Sequence, residues 1–477
     1  MSDSRYYSLK QLTKFPVKIL RTKNVLNFVG SVLISMILVY FLRGSDFNHV
    51  QDGVMFILFL AIGLWITEAI PPFAVGILII GFLVFTMGKE GNIDVKPYIQ
   101  TWSDGVIWLF LGGFFLAAGM KKTNLDFQLL KIAAPRFGNK AQFVLLGLMM
   151  TTAVISMLMS NTATTAMMIA TVTPLFTQLG KSSNFSKALL LGIPAAASIG
   201  GMGTIIGSAP NAIAVGALEG MGIKVSFIDW MLIGIPVSLA LIFVFWKALT
   251  INYKIKNEVL ALDFLSIKTE DMTIDSDEMK IQKRIMLIVL ATTLFLWLTS
   301  KLTGIPVAAV SGVPIVALTM FGIIDADDVR SLSWDTLMLV AGGLALGLAI
   351  QEQGLATYFV SQISSNALNF NVLILVFGLV TVLLSNFMSN TAATTILIPV
   401  AITLSSVGTN NPIILPFVIG LSASCALLLP VSTPPNAIAY STGYLTQSEF
   451  RLGGVVVGIA GPLLIILWTA LMVFFFF

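Results

Sequence analysis

Two short polar clusters carry most of the chemistry this chain can offer. Ser156-x-x-x-Ser160-Asn161-Thr162-Ala163 recurs as Ser385-x-x-x-Ser389-Asn390-Thr391-Ala392. Each interrupts an apolar stretch, 141–179 and 371–403, long enough for two short helices. A helix that stops at such a break exposes unpaired carbonyls, the negative end of its dipole. The helix that follows exposes unpaired N–H groups, the positive end. One tip can therefore offer oxygens to a cation and donors to an anion. Asn serves either partner through its carbonyl oxygen or its NH2 group. Ser156 and Ser160 are four residues apart, which predicts one face of the first short helix. Hydroxyl and carbonyl oxygens suit a small hard cation.

Two further apolar stretches, 187–219 and 412–444, carry breaks of their own. The first reads Gly203-Thr204-Ile205-Ile206-Gly207-Ser208-Ala209-Pro210-Asn211 and the second Pro430-Val431-Ser432-Thr433-Pro434-Pro435-Asn436. Gly and Pro there predict unwound backbone, tolerated at membrane depth only where it is buried or lines a cavity. The four breaks make two half-sites. No Lys, Arg, Asp or Glu lies in the middle of either hairpin stretch, nor in 188–218 or 412–444. Ionisable groups within a bilayer usually mark a function. Here any charge at the midplane must be met by neutral groups. A single Ser in a membrane helix commonly just bonds backbone or a neighbouring helix. That reading does not explain Ser-Asn-Thr twice, each time beside a second broken span.

The elements that position these clusters follow from composition. Hydrophobic residues make up 57% of 477 residues and charged residues 10%. A soluble protein carries about 25% charged residues, so this surface must face lipid. Soluble, secreted, disordered and nucleic-acid-binding classes are excluded, and no nucleic-acid partner is expected. One cysteine, Cys425, allows no intrachain disulfide and no Cys-based metal site. The one histidine, His49, sits in the polar stretch 43–52 and reads as a solvated loop residue. Zinc chemistry and a His-assisted nucleophile are disfavoured, and no enzyme is expected.

A span needs about 20 mostly apolar residues. Spans are expected near 24–42, 54–70, 72–87, 105–121, 187–219, 228–248, 285–300, 305–323, 335–350, 412–444 and 451–475, eleven in all. The stretches 141–179 and 371–403 read as re-entrant hairpins. The first apolar run is too long for a cleavable signal peptide. Arg5, Lys10, Lys14, Lys18, Arg21 and Lys23 precede the first span, which puts the N-terminus in the cytoplasm and, after eleven crossings, the C-terminus outside. Of 27 Lys and Arg, 22 then fall inside, and only Arg43, Lys89, Lys96, Lys224 and Lys301 fall outside. A wrong count would scramble that ratio.

The chain also resembles itself. Leu64-Trp65-Ile66-Thr67 recurs as Leu296-Trp297-Leu298-Thr299, Gly112-Gly113 as Gly342-Gly343, and Pro210-Asn211-Ala212-Ile213-Ala214 as Pro435-Asn436-Ala437-Ile438-Ala439. With the Ser-Asn-Thr pair, the offsets run between 225 and 232. The organisation is then 1–50, cytoplasmic N-terminus and first span; 51–250, first repeat; 251–284, an acidic then basic cytoplasmic linker; 285–477, second repeat. Each repeat holds five spans and one hairpin. Five is odd, so the second copy is inverted, as is common in secondary transporters, whose sites lie where the copies meet.

At these residues the chain resembles the divalent anion:sodium symporter family. The paired Ser-Asn-Thr motifs, Pro434-Pro435-Asn436-Ala437 and Ile66-Thr67-Glu68-Ala69-Ile70-Pro71 carry the resemblance, which covers roughly 50–477. It implies an elevator-type transporter in the bacterial inner membrane, a homodimer with a scaffold and a moving domain in each protomer. By match, one Na+ would sit among Ser156, Ser160, Asn161 and backbone near Gly207, and a second among Ser385, Ser389, Asn390 and backbone near Ser432. A C4-type dicarboxylate such as succinate, malate or fumarate would touch Asn161, Thr162, Asn390, Thr391, Thr433 and Pro434. Ser208 is the first-repeat counterpart, where Ser208-Ala209-Pro210 departs from Thr433-Pro434-Pro435. Some relatives exchange dicarboxylates without Na+, which keeps a Na+-independent exchanger as the alternative.

Physics favours coupling. A dianion that meets no basic side chain needs borrowed cations, which also strengthen the neutral donors around it. A channel predicts a continuous polar path and no mobile hairpins. An intramembrane enzyme needs a general acid or base at depth, and the sequence offers none. Transporters of arsenite or citrate-like anions are the nearest rivals.

Overall fold

The computed structural model describes residues 23–89, 93–255, 277–355, 358, 370–407 and 411–476. Every regular element among them is helical. Helices of eight residues or more are numbered here. The first half contains α1 Lys23–Leu42, α2 His49–Thr67, α3 Pro72–Gly88, α4 Gly105–Lys122 and α5 Leu125–Ala133. It continues with α6 Ala141–Ser156, α7 Asn161–Leu179, α8 Asn184–Gly200, α9 Ala209–Gly220 and α10 Phe227–Asn252. The second half contains α11 Asp277–Leu298, α12 Gly312–Met320, α13 Trp334–Glu352 and α14 Phe370–Phe387. It ends with α15 Asn390–Val407, α16 Ile414–Ser422, α17 Pro434–Ser441 and α18 Arg451–Phe476.

Nine helices among the described residues are long and apolar enough to cross a bilayer, and the chain is an all-helical, polytopic membrane protein. Eight of the nine coincide with expected spans; the ninth is Phe370–Phe387, the first arm of the second expected hairpin. Helix α3 matches the expected span 72–87, whereas 305–323 and 412–444 are broken, as 187–219 is after Gly200. Helix α3 has 17 residues between Pro71 and Lys89. The stretch 305–323 divides into Val307–Val310 and α12, because Gly312 and Pro314 follow directly on Ser311. The stretch 412–444 holds only α16 and α17 around a long non-helical middle. His49 is exposed but opens α2, behind a capping box between Asn48 and Gln51, and so is not a loop residue. Both ends of the expected linker 251–284 are helical. Helix α10 runs to Asn252 and α11 starts at Asp277, and 256–276 lies outside the described residues, as do Arg5 to Arg21.

Burial sorts the helices. The segment Asn184–Gly203 is 94% buried, whereas α1 is only 11% buried and bares Leu33, Tyr40 and Phe41. A helix apolar all round is a core helix, and one bare on most sides needs lipid. Helix α8 is thus the central post.

The two halves interlock by equivalent contacts. Trp65 Nε1 donates to Pro72 O at 3.3 Å, and Trp297 Nε1 to Val307 O at 3.2 Å. Each repeated Trp ties the end of its helix to the segment that follows. Gly112 packs on Ser311 from the other half, and Gly342 packs on Gly76 from the other half. A Cβ on Gly112 would stand 2.7 Å from Ser311 Cβ, so these crossings demand glycine.

Side-chain bonds also join segment ends. Lys122 bridges Asp325 at 2.8 Å and also Asp328, and these hydrogen bonds hold the Asp325 carboxyl down at about 2. Lys187 pairs with Glu449 at 2.9 Å, Lys301 with Asp229 at 3.3 Å and Arg43 with Asp52 at 3.2 Å. Tyr98 OH donates to Glu352 at 2.5 Å.

Candidate functional site

Helix α6 stops at Ser156 and α7 starts at Asn161. The first helix ends sooner than its serine spacing predicts. Ser160 lies beyond it and caps α7, its hydroxyl accepting from Ala163 N at 3.2 Å. Ser156 and Ser160 therefore do not share a helical face. In the second half Ser389 accepts from Ala392 N at 3.1 Å, the same bond on α15. Burial repeats as well. Ser156 and Ser385 are fully buried, Asn161 and Asn390 half-buried, and Ser160 and Ser389 open.

The two broken stretches unwind where Gly and Pro occur. After α8 come two short turns, Gly201–Gly203 and Ile205–Gly207, with Thr204 and Ser208 extended. Thr204 Oγ1 donates to Met157 O at 2.5 Å, which ties this break to the first tip. Asn211 Nδ2 donates to Gly201 O and Thr204 O, both at 2.8 Å. In the second half, Asn436 Nδ2 donates to Leu429 O at 3.1 Å, and Asn386 joins the break by accepting from Leu428 N at 2.9 Å. The repeated Pro-Asn-Ala thus closes carbonyls that unwinding frees. The spacing alone assigns it no such task, and Asn386 carries no sequence signal at all.

These pieces surround one cavity of about 620 Å³. Ser160, Asn161, Thr162, Gly207 and Ser208 line it from the first half, and Ser389, Asn390, Thr391, Ser432, Thr433 and Pro434 from the second. Ser156 and Ser385 stand behind the wall. Sequence reasoning missed Ser198, a buried hydroxyl without a partner, and Ser333, Asp335 and Thr336 at the start of α13. Nothing in the repeat pattern singles these four out. Phe110, Phe114, Leu158 and Ile206 add apolar wall.

Oxygens converge at the first tip. Ser156 Oγ donates to Ala197 O at 2.8 Å and stands 2.7 Å from Asn161 Oδ1. The amide of Asn161 has two useful orientations. With its oxygen inward it faces only oxygens. With its nitrogen inward it donates to Gly207 O at 3.3 Å, Ser156 Oγ at 2.7 Å and Ala197 O at 3.1 Å. The surroundings favour the nitrogen inward; with the oxygen turned inward instead, the ring of oxygens would fit a small cation. Glycine makes the room. A Cβ on Gly201 would fall 2.7 Å from Asn161 Oδ1 and 2.8 Å from Gly207 O. At the second tip Ser385 Oγ and Asn390 Oδ1 are buried without a hydrogen-bond partner among the described residues, an expensive condition that a bound cation would relieve.

Donors are less evenly shared. Helix α17 opens on Pro434-Pro435, which have no N–H, and its first N–H, on Asn436, already bonds Thr433 Oγ1 at 3.3 Å. Pro434 can shape the cavity but cannot donate. Ser208 precedes α9 without capping it by its side chain, and its hydroxyl makes no hydrogen bond among the described residues.

A family model described as the sodium:sulfate symporter transmembrane region matches residues 23–476. The chain is 29% identical over 482 residues to the sodium-dependent dicarboxylate transporter SdcS of Staphylococcus saprophyticus, covering 94% of this chain and 91% of that one. It is 32% identical over 447 residues to an uncharacterized transporter of Haemophilus influenzae, covering 90% and 92%. Two solved structures share the fold. One is MtrF of Neisseria gonorrhoeae, described as one of a class of antimetabolite efflux pumps (TM-score 0.54, 11% identity, 92% of this chain and 97% of that one). The other is the YdaH transporter of Alcanivorax borkumensis (TM-score 0.54, 13% identity, 94% and 97%). With almost its whole length matched by that model, the chain belongs to the divalent anion:sodium symporter family.

Proposed function

We propose that this protein couples Na+ entry to uptake of C4-type dicarboxylates such as succinate, malate and fumarate. One observation carries the reading: both Ser-Asn-Thr tips and both broken stretches line a single cavity whose polar groups are almost all neutral. A dianion held there must rely on amide, hydroxyl and main-chain dipoles together with bound cations. The relatives named as sodium-dependent dicarboxylate transporters agree with it. Cations bind first, order the tips and so assemble the anion site.

The mechanism is an elevator-like shift of the tips and broken helices, within a homodimer. Unequal cavities support alternation. Gly343, Leu344, Gly347 and Thr395 line a second cavity of about 110 Å³. Their repeat counterparts Gly113, Phe114, Ala117 and Ala166 line the large one, and Ala166 also lines an adjoining space of about 270 Å³ with Lys121. One side is open and its symmetry mate is nearly shut. Equivalent Trp and Gly contacts support inverted repeats over 51–250 and 285–477. Tips that meet inside one cavity support two re-entrant hairpins and eleven crossings. The cross-segment pairs support the same topology. Lys122 with Asp325 and Lys187 with Glu449 join ends assigned to the cytoplasm, and Arg43 with Asp52, Lys301 with Asp229 and Tyr98 with Glu352 join ends assigned outside. The N-terminus lies in the cytoplasm of a bacterial inner-membrane protein.

The test is labelled succinate uptake into proteoliposomes, with and without an inward Na+ gradient and with sulfate as competitor. Uptake driven by the gradient is expected. Succinate exchange indifferent to Na+ would instead establish the exchanger, and sulfate-preferring uptake would replace the substrate.

A further inference from the structure

We infer that Asp335 is the charge-selecting residue of the anion site: it admits a dianion only alongside cations and rejects a third negative charge. The inference rests on the dicarboxylate reading above and deepens it. Asp335 is the one ionisable side chain among the residues that line the 620 Å³ cavity. Its carboxylate makes no hydrogen bond or ion pair among the described residues. Lys122 pairs with Asp325 and Asp328, and Arg330 with Asp327, while Lys121 lines the adjoining space of about 270 Å³ and not the cavity itself.

The Asp335 side chain is exposed on the cavity wall. Asp335 is the second residue of α13, in the first turn, where the helix dipole favours a negative charge. The turn before it is pinned, with Trp334 Nε1 donating to Val329 O at 2.9 Å and Thr336 N to Ser333 O at 3.1 Å. Ser333 and Thr336 put hydroxyls on either side of it along the cavity wall.

A fixed carboxylate beside an anion site opposes every negative charge admitted and attracts every cation. The opposition scales with the anion's charge, so a trianion is penalised more than a dianion, and local cation concentration rises. Neutral donors alone cannot make that distinction. The rest of the cavity therefore supplies binding, and Asp335 supplies the charge rule.

The experiment compares wild type, Asp335→Asn and Asp335→Glu in proteoliposomes, measuring the Na+ half-saturation of succinate uptake and its competition by citrate at near-neutral pH. Asp335→Asn is expected to strengthen citrate competition several-fold relative to unlabelled succinate and to raise the Na+ half-saturation several-fold. Asp335→Glu keeps both near wild type. Detergent melting curves check folding. Should the Asn variant not fold, wild type carries the test: choline chloride, which screens exposed charge, narrows the gap between citrate and succinate. An Asn variant with both quantities unchanged, or a gap indifferent to choline chloride, overturns the charge rule and leaves the transport reading standing. Wild type without Na+-driven succinate uptake overturns the transport reading and the charge rule with it.

Discussion

The side-chain amide of Asn161 stands 2.7 Å from Ser156 Oγ across the short turn that separates α6 from α7. One amide thereby joins the last residue of one helix to the first residue of the next, and faces the carbonyls of Ala197 and Gly207 from the central post and its break. Asn161→Ala removes a group proposed to serve both the cation ring and the anion cavity. A hydrogen bond to a charged group contributes about 1.5–3 kcal/mol, roughly tenfold or more in affinity. We expect Asn161→Ala and Asn390→Ala each to reduce Na+-driven uptake at least that much while leaving the detergent melting curve near wild type. Near-normal uptake in either variant removes that residue from the site.

The glycine cradle gives a sharper test of the cation site. In Gly201→Ala the new methyl would meet Asn161 Oδ1 at 2.7 Å and Gly207 O at 2.8 Å. Both are atoms proposed here to hold Na+. Overpacking costs about 1–3 kcal/mol, so a lower melting temperature is expected even without Na+. The diagnostic effect is a rise of about an order of magnitude in Na+ half-saturation, the change that about 1.4 kcal/mol of lost cation binding produces. A lower melting temperature with unchanged Na+ half-saturation would mean the glycine serves packing alone.

Ser385 offers the opposite signature. Its buried hydroxyl has no partner, so Ser385→Ala removes a desolvated polar group that contributes nothing in Na+-free protein. Melting without Na+ should stay level or rise slightly. Bound ligand stabilises the state that binds it, and the upward shift of melting temperature on adding Na+ should shrink in the variant. A full Na+ shift in Ser385→Ala would exclude the residue as a ligand.

Asn211 and Asn436 are predicted to matter for stability rather than for ligand contact. Asn211 is fully buried and gives two 2.8 Å bonds to the carbonyls of its break. Asn211→Ala removes the bond to Gly201 O and one of two to Thr204 O, which Gly207 N still reaches at 3.3 Å, at a cost of about 1–3 kcal/mol. Melting temperature should fall, and the remaining folded fraction should keep its Na+ half-saturation.

The single cysteine makes accessibility measurable. Cys425 is buried in the turn Ala423–Cys425, so wild type should resist a membrane-impermeant maleimide from either side. Ser333→Cys, on the open cavity, should label from the cytoplasmic face, and Na+ with succinate should slow the labelling. Labelling from the outside would reverse the topology.

The repeat, the paired clusters and the four breaks were all legible in the residues, because each is a local property. Ser-Asn-Thr and Gly-with-Pro runs within apolar stretches are local breaking signals, though not sufficient ones, since Ser385-Asn386 lies inside α14 and Gly461-Pro462 inside α18. Where Ser160 sits was not legible: helix α6 ends at Ser156, and capping of α7 by Ser160 turns its hydroxyl toward the cavity. Span count was only partly legible, since hydropathy gives length along the chain and not how Ser311, Gly312 and Pro314 divide a helix. Only the tertiary structure brought α13 against the tips, and with it Asp335, which lies outside every motif. It also showed that Asn211 and Asn436 bond the broken backbone, and that Pro434 lacks the donor its position suggests. The reason is physical. Helix propensity and hydropathy act over a few residues, whereas a ligand cavity is assembled by packing of segments far apart in sequence, which no local pattern encodes.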